Sequence, residues 1–291
     1  MIDKFKKLEN LHVSYINSVS WISKNSFVYC AATGKVGIFC IKSNEIKKEI
    51  YSADGLYFDQ PVAIDVFEKK IYLSDWMNFR IVIFDLNLKF LCSIGYPKLK
   101  ENIFSNIISS LENKDIIISH DVQRTKKLPR KKSNKISKFL HFFLLNKSRV
   151  PLTKPNGIAH IDDFWFISDK NSHSILKGKG EHVIKKVKLR TRLGNILTKN
   201  RLIYICEEDT KVIKILCEEL NQVDEIKCEN VNPFCIEFLG EKIMVGGFQG
   251  IEYGMKSALE FIKIPDIHAV STLANRVLVA SRSKGVFIYE E

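Results

Sequence analysis

Ile71-Tyr72-Leu73-Ser74-Asp75 is three apolar residues followed by a small or polar pair, and the same pattern recurs along the whole chain. The other copies are Val28-Tyr29-Cys30-Ala31-Ala32, Ile116-Ile117-Ile118-Ser119-His120 and Trp165-Phe166-Ile167-Ser168-Asp169, then Ile203-Tyr204-Ile205-Cys206-Glu207, Ile243-Met244-Val245-Gly246-Gly247 and Val277-Leu278-Val279-Ala280-Ser281. Their second residues are separated by 43, 45, 49, 38, 40 and 34 positions. A short apolar run bounded by turn residues reads as a strand buried on both faces. In six copies a second β-rich run follows, centred on Val36, Ile81, Ile175, Val212, Ile251 and Val286, at the offset of a hairpin. A further apolar stretch precedes the copies, as in Val62–Phe67, Gly157–Ile161 and Phe234–Leu239.

A period of about 40–50 residues, each holding several short strands, is that of a propeller blade. The expected fold is therefore all-β, a single β-propeller domain over residues 1–291. Seven copies predict seven blades, with six as the alternative. The last repeat has room for only three strands before the chain stops. Residues 4–10 or the Leu11–Tyr15 stretch are expected to supply its outer strand and close the ring.

Outward from Ile71, the segment Pro61-Val62-Ala63-Ile64-Asp65, the repeat itself, Asn78-Phe79-Arg80-Ile81-Val82-Ile83-Phe84-Asp85 and Gly95 together resemble one NHL-type repeat, chiefly through the Asp-x-x-Asn-x-Arg-Ile run. Pro155-Asn156-Gly157-Ile158-Ala159 with Ile167-Ser168-Asp169 is a second copy without the arginine. Trp76 and Arg80 read as packing and loop anchors. Lys154 to Ala159 also resembles the Pro-Asn-Gly segment of gluconolactonase/strictosidine-synthase-like propellers. That resemblance implies a calcium-type ligand at Asn156, where a hard cation would polarise a carbonyl and activate water. The further acidic ligands of such enzymes are not matched here, apart from Asp266. Amidating lyases with related propellers hold zinc on channel histidines, which makes His160 and His268 the corresponding candidates. The Pro-Asn-Gly run is equally a tight turn into a strand.

The 291 residues carry 45 Lys and Arg against 33 Asp and Glu, a formal charge of +12. The excess is local. Residues 1–121 hold 15 basic and 14 acidic side chains, residues 122–206 hold 21 and 4, and residues 207–291 hold 9 and 15. No acid lies between Asp121 and Asp162. A concentration of one sign points to a polyanionic partner.

The third copy breaks the rhythm. Where its next strand should fall stands a basic run with Arg124, Lys126, Lys127, Arg130, Lys131, Lys132, Lys135 and Lys138. It reads as an insertion at about 122–150, between the second and third strands of a third blade, with these eight residues as polyanion contacts. Ile136, Phe139, Leu140, Phe143 and Leu144 follow helical spacing. On a helix, Phe139, Leu140, Phe143 and Leu144 would suit an anionic membrane surface; as a strand, the same run is a buried blade element. The rim holding Pro155-Asn156-Gly157, Asp75–Asn78 and Asp169–Asn171 is the expected site face.

The start, Met1 to Lys7, has no apolar stretch of a secretory signal. Seven cysteines without a C-x-x-C pair point to reduced thiols and a cytoplasmic setting, with peripheral membrane association the variant. The sequence contains no phosphate loop and no hydrolase nucleophile motif. The resulting expectation is a non-catalytic binding module for an anionic membrane surface, nucleic acid, or acidic glycan or protein, with no cofactor. The alternative is a metal-dependent hydrolase, lactonase-like, or a lyase, using calcium or zinc at the channel mouth through Asn156, His160 and His268.

Overall fold

The structure is a computed structural model, and it describes residues 5–95, 152–180 and 182–290. Six antiparallel sheets of four strands and one two-stranded ribbon, Ser52–Ala53 with Leu56–Tyr57, form the described part. Blade 1 comprises Ile16–Ser23, Ser26–Ala31, Lys35–Cys40 and Glu45–Ile50. Blade 2 comprises Pro61–Phe67, Lys70–Asp75, Arg80–Asp85 and Phe90–Gly95. Blade 3 has Pro155–Ile161, Phe164–Asp169, Ser174–Lys179 and His182–Lys188, and blade 4 has Leu193–Lys199, Leu202–Glu207, Val212–Leu216 and Gln222–Lys227. Blade 5 has Cys235–Leu239, Lys242–Gly247, Gly250–Met255 and Ala258–Ile262. Blade 6 has Ile267–Leu273, Arg276–Ser281 and Gly285–Glu290.

The fourth strand of blade 6 comes from the other end of the chain. Lys6 pairs with Ile288 and Lys7 with Phe287, so the expected N-terminal closing strand is present. It satisfies backbone groups that would otherwise form an open edge. The first strands of successive blades pack side by side, and that of blade 1 meets that of blade 6, so the ring closes.

The ring has six blades, not seven. The blade 2 sheet and the blade 3 sheet are direct neighbours: Tyr72, Ile81, Ile83 and Ile94 pack against Ile158, Trp165, Ile167 and Leu176 in one cluster. The third sequence copy, Ile116–His120, lies outside the described residues, as does the 122–150 segment. That segment joins the last strand of one blade to the first strand of the next, not two strands within a blade. The step from Tyr72 to Phe166 spans two ordinary repeats, and an apolar run in its middle reads as another blade.

The core consists of six clusters, one in each gap between neighbouring blades. The second strand of each blade is covered on both faces, as in Phe27 to Ala31, all fully buried. That double burial is why the second strands form the legible repeat. Outer strands such as His182–Lys188 are exposed along their length and carry no such signal.

Candidate functional site

At the face where the first strands begin, polar side chains are used to tie the blades together. Five of the six first strands carry a bulge near their start, for example between Ile16 and Ser18, Pro61 and Ala63, and Pro155 and Gly157. A bulge re-aims the residue it displaces. Asn17 and Asn156 occupy this position in blades 1 and 3. Asn17 donates its amide to the Pro61 carbonyl at 2.8 Å and Asn156 donates to the Leu193 carbonyl at 3.3 Å, each on the next blade. Gly157 follows because a Cβ there would collide with Asn195 of blade 4. The Pro-Asn-Gly motif thus serves blade packing.

The carboxylates that end the second strands work in the same way. Asp169 accepts hydrogen bonds from the Thr153 amide and hydroxyl and from the Lys154 amide. Asp75 accepts from the Asp59 amide at 2.9 Å, the Asn78 side chain at 2.9 Å and Arg80 Nε at 2.8 Å. The Arg80–Asp75 pair is almost fully enclosed, at 2% and 0% exposure. The guanidinium also reaches the carbonyls of Ala53 and Leu56, so the Asp-x-x-Asn-x-Arg run secures the 53–59 loop. Burial raises the Asp75 pKa despite the opposing pull of Arg80.

The expected metal set is not brought together. Asn156 is engaged as described. His268 Nε2 lies 3.2 Å from Asp266 Oδ1, between the rings of Phe234 and Phe248, and burial lowers its pKa against the pull of Asp266. His160 is stacked on Phe67, with centroids 4.4 Å apart and planes 2° from parallel, and it touches Tyr72. Only His160 of the three lines the central cavity. Among the described residues no group of three or more His, Cys, Asp or Glu side chains is placed to hold a metal ion. The eight basic polyanion candidates, Arg124 to Lys138, and the membrane candidates Phe139, Leu140, Phe143 and Leu144 lie outside the described residues.

The cavity itself opens toward the face opposite the expected rim. It has a volume of about 440 Å³ and is walled by the first strands of all six blades. Its lining runs from mid-strand to the hairpins after the first strands, through Asp162, Asn200 and Arg201. Asp65 of blade 2 and Glu237 of blade 5 line it, three blades apart in a ring of six and therefore on facing walls. Burial pushes Asp65 up to about 6, eased by the Val66 amide. Burial pushes Glu237 up to about 8, with the charge of Asp65 adding to the rise and the Phe238 and Thr272 amides and Lys199 opposing it. Burial, with a smaller push from Lys70, brings His160 down to about 4, and its Nδ1 is enclosed without a hydrogen-bond partner. Sequence reading passed over both acids. Their signal was a lone carboxylate within each of the apolar runs Val62–Phe67 and Phe234–Leu239.

A second feature is the exposed outer strand of blade 3, His182–Lys188. Lys186, Lys188 and the following Arg190 are exposed and form no ion pair among the described residues, whereas Lys179 and Arg192 are paired with Asp163 and Asp209. Ile184 is 56% exposed between them.

No helix among the described residues is long and apolar enough to cross a membrane. No known family profile matches the sequence, and no curated protein does. Solved structures do match. The WD40 β-propeller domain of Doa1 superposes with a TM-score of 0.62 at 10% identity, covering 95% of this chain and 79% of that one. U3-55K gives 0.61 at 10% identity, covering 99% and 80%. Streptogramin B lyase gives 0.58 at 11% identity, covering 99% and 87%. At such identities the likeness speaks for the architecture alone, and it places the chain among the β-propellers.

Proposed function

We propose that the chain is a non-catalytic β-propeller that serves as a binding module, its basic side engaging an anionic partner. The observation that carries this reading is the charge on blade 3. Lys186 and Lys188 on an outer strand and Arg190 just beyond it have no acidic partner among the described residues, and the segment 122–149, which precedes blade 3 in sequence, has ten basic residues and no acid. Cations left unpaired on a propeller edge favour phosphate, sulfate or carboxylate groups, and such contacts weaken steeply with salt. The WD40 β-propeller domain of Doa1 shares the architecture and is compatible with an interaction role. The NHL-type reading of Pro61–Gly95 belongs to the same proposal, as does a cytoplasmic setting, supported by seven cysteines of which none is in a disulfide.

The test is binding to heparin, to a single-stranded oligonucleotide and to phosphatidylserine vesicles over about 50–200 mM salt. Two sets of Ser substitutions are compared, one at Lys126, Lys127, Arg130, Lys131 and Lys132, the other at Lys186, Lys188 and Arg190. Binding that drops in both sets with a shallower salt dependence supports the reading. Unchanged affinity in both sets overturns it.

The enzymatic alternative draws on the likeness to streptogramin B lyase and on the titratable groups of the cavity. A hydrolase or lyase dependent on calcium or zinc would gain thermal stability from the metal. A flat response to calcium, manganese and zinc removes that alternative.

A further inference from the structure

Asp65 and Glu237 face one another across the axial cavity, and no ion pair to either exists among the described residues. Each accepts only backbone amides, Val66 for the first, Phe238 and Thr272 for the second. Both are half-buried in the cavity wall, and holding a carboxylate partly out of water without an ion-pair partner is costly.

We propose that the cavity binds a small organic diammonium cation, one ammonium at Asp65 and the other at Glu237.

Three further observations fit such a ligand. The other charges of the lining are already matched: Arg201 is paired with Asp162 at 2.8 Å and Glu218 at 2.5 Å, and Lys199 donates to the Gly240 carbonyl at 2.5 Å with Glu241 at 3.6 Å. His160 is held neutral by burial and so does not repel a cation, and Phe67, stacked on it, adds an aromatic wall. The volume of about 440 Å³ suits a small molecule. The separation of the carboxyls onto opposite walls disfavours a metal ion, which gathers several oxygens around one point. The site is independent of the basic-partner reading, since its two acids stand on blades 2 and 5 and it takes a ligand of the opposite sign.

Both acids hold protons more tightly than usual, Asp65 to about pH 6 and Glu237 to about pH 8. A diamine must displace those protons, so its affinity rises with pH. The titratable and charged groups facing the two acids are His160, Lys199, Arg201 and Asp162, with Lys70 near His160.

The experiment is calorimetric titration of the full chain with 1,4-diaminobutane at about pH 8.5 and pH 5.5. One saturable site is expected at the higher pH, weaker by about tenfold or more at the lower. Asp65→Asn and Glu237→Gln, both near-isosteric, are each expected to weaken binding by about tenfold or more without loss of thermal stability. 1-Aminobutane, able to reach only one acid, is expected to bind more weakly. At about pH 7, repeating the titration in buffers of different ionisation enthalpy is expected to show proton release. Absence of a saturable site at the higher pH overturns the proposal. So does equal binding by both variants, or saturable binding of calcium or manganese with none of the diamine.

Discussion

The two ends of the first strands treat polar side chains in opposite ways. Where the strands begin, Asn17, Asn156, Asp75 and Asp169 are buried and each is consumed by a backbone group or a charge of its own. Where they run toward the cavity, Asp65 and Glu237 form no ion pair among the described residues and His160 leaves Nδ1 unpaired. Residue type alone does not separate these cases. What separates them is whether the surrounding chain supplies the partner, from the next blade for Asn17 and Asn156 and from the adjoining loops for Asp75 and Asp169. A satisfied buried polar group is architecture, and an unsatisfied one in a cavity is an invitation to a ligand.

The comparison can be broken most severely at Arg80. Removing the guanidinium strands Asp75 in the interior, and Arg80→Ala is expected to lower unfolding free energy by about 3–5 kcal/mol in urea denaturation. Replacing Asp65 by Asn should not cost anything of that size, because no partner is left behind.

The pH dependence gives the next effect. The native pKa of Glu237 is raised, so the unfolded chain releases that proton first and stability falls as pH climbs toward about 8. Asp65 acts with the same sign but is finished near pH 6. The native pKa of His160 is lowered to about 4, so its contribution is lost as pH falls below that of a free histidine. Between about pH 6.5 and 8 Glu237 dominates, and the protein is expected to lose about 1–2 kcal/mol, read from denaturant midpoints across that range. Glu237→Gln should flatten the slope.

Asn156 provides a smaller effect at the other end. Asn156→Ala leaves the Leu193 carbonyl unpaired and is expected to cost about 1–2 kcal/mol, with no change in thermal response to calcium. A calcium response present in the native chain and lost in this variant would reinstate the metal reading. The smallest effect on stability is expected from Ser at Lys186, Lys188 and Arg190, within about 0.5 kcal/mol, while affinity for polyanions falls.

The architecture was legible because each second strand is buried on both faces and must be apolar throughout, as Ile71 to Leu73 and Val277 to Val279 show. The closing strand was legible from a missing one in the last repeat. The blade count was not, since Ile116 to Ile118 carries the same local pattern as a true second strand, and membership of the ring depends on packing far along the chain. The site was hidden for a related reason. Asn156 announces itself in a motif, yet its amide is spent on the next blade. Glu237 belongs to no motif and Asp65 only closes the Pro61–Asp65 segment, and only the ring brings residues so distant in sequence onto facing walls.

The pairing of Lys6 and Lys7 with Phe287 and Ile288 also orders events in time. During synthesis the first blades can assemble as they emerge, but the circle stays open until the last strand of blade 6 meets residues made before blade 1. The loop closed by that pairing is nearly the whole chain, and long-range closure of this kind slows folding. Until then the facing walls of blades 2 and 5 do not define a cavity. A nascent chain therefore acquires its axial site only at the moment the ring locks.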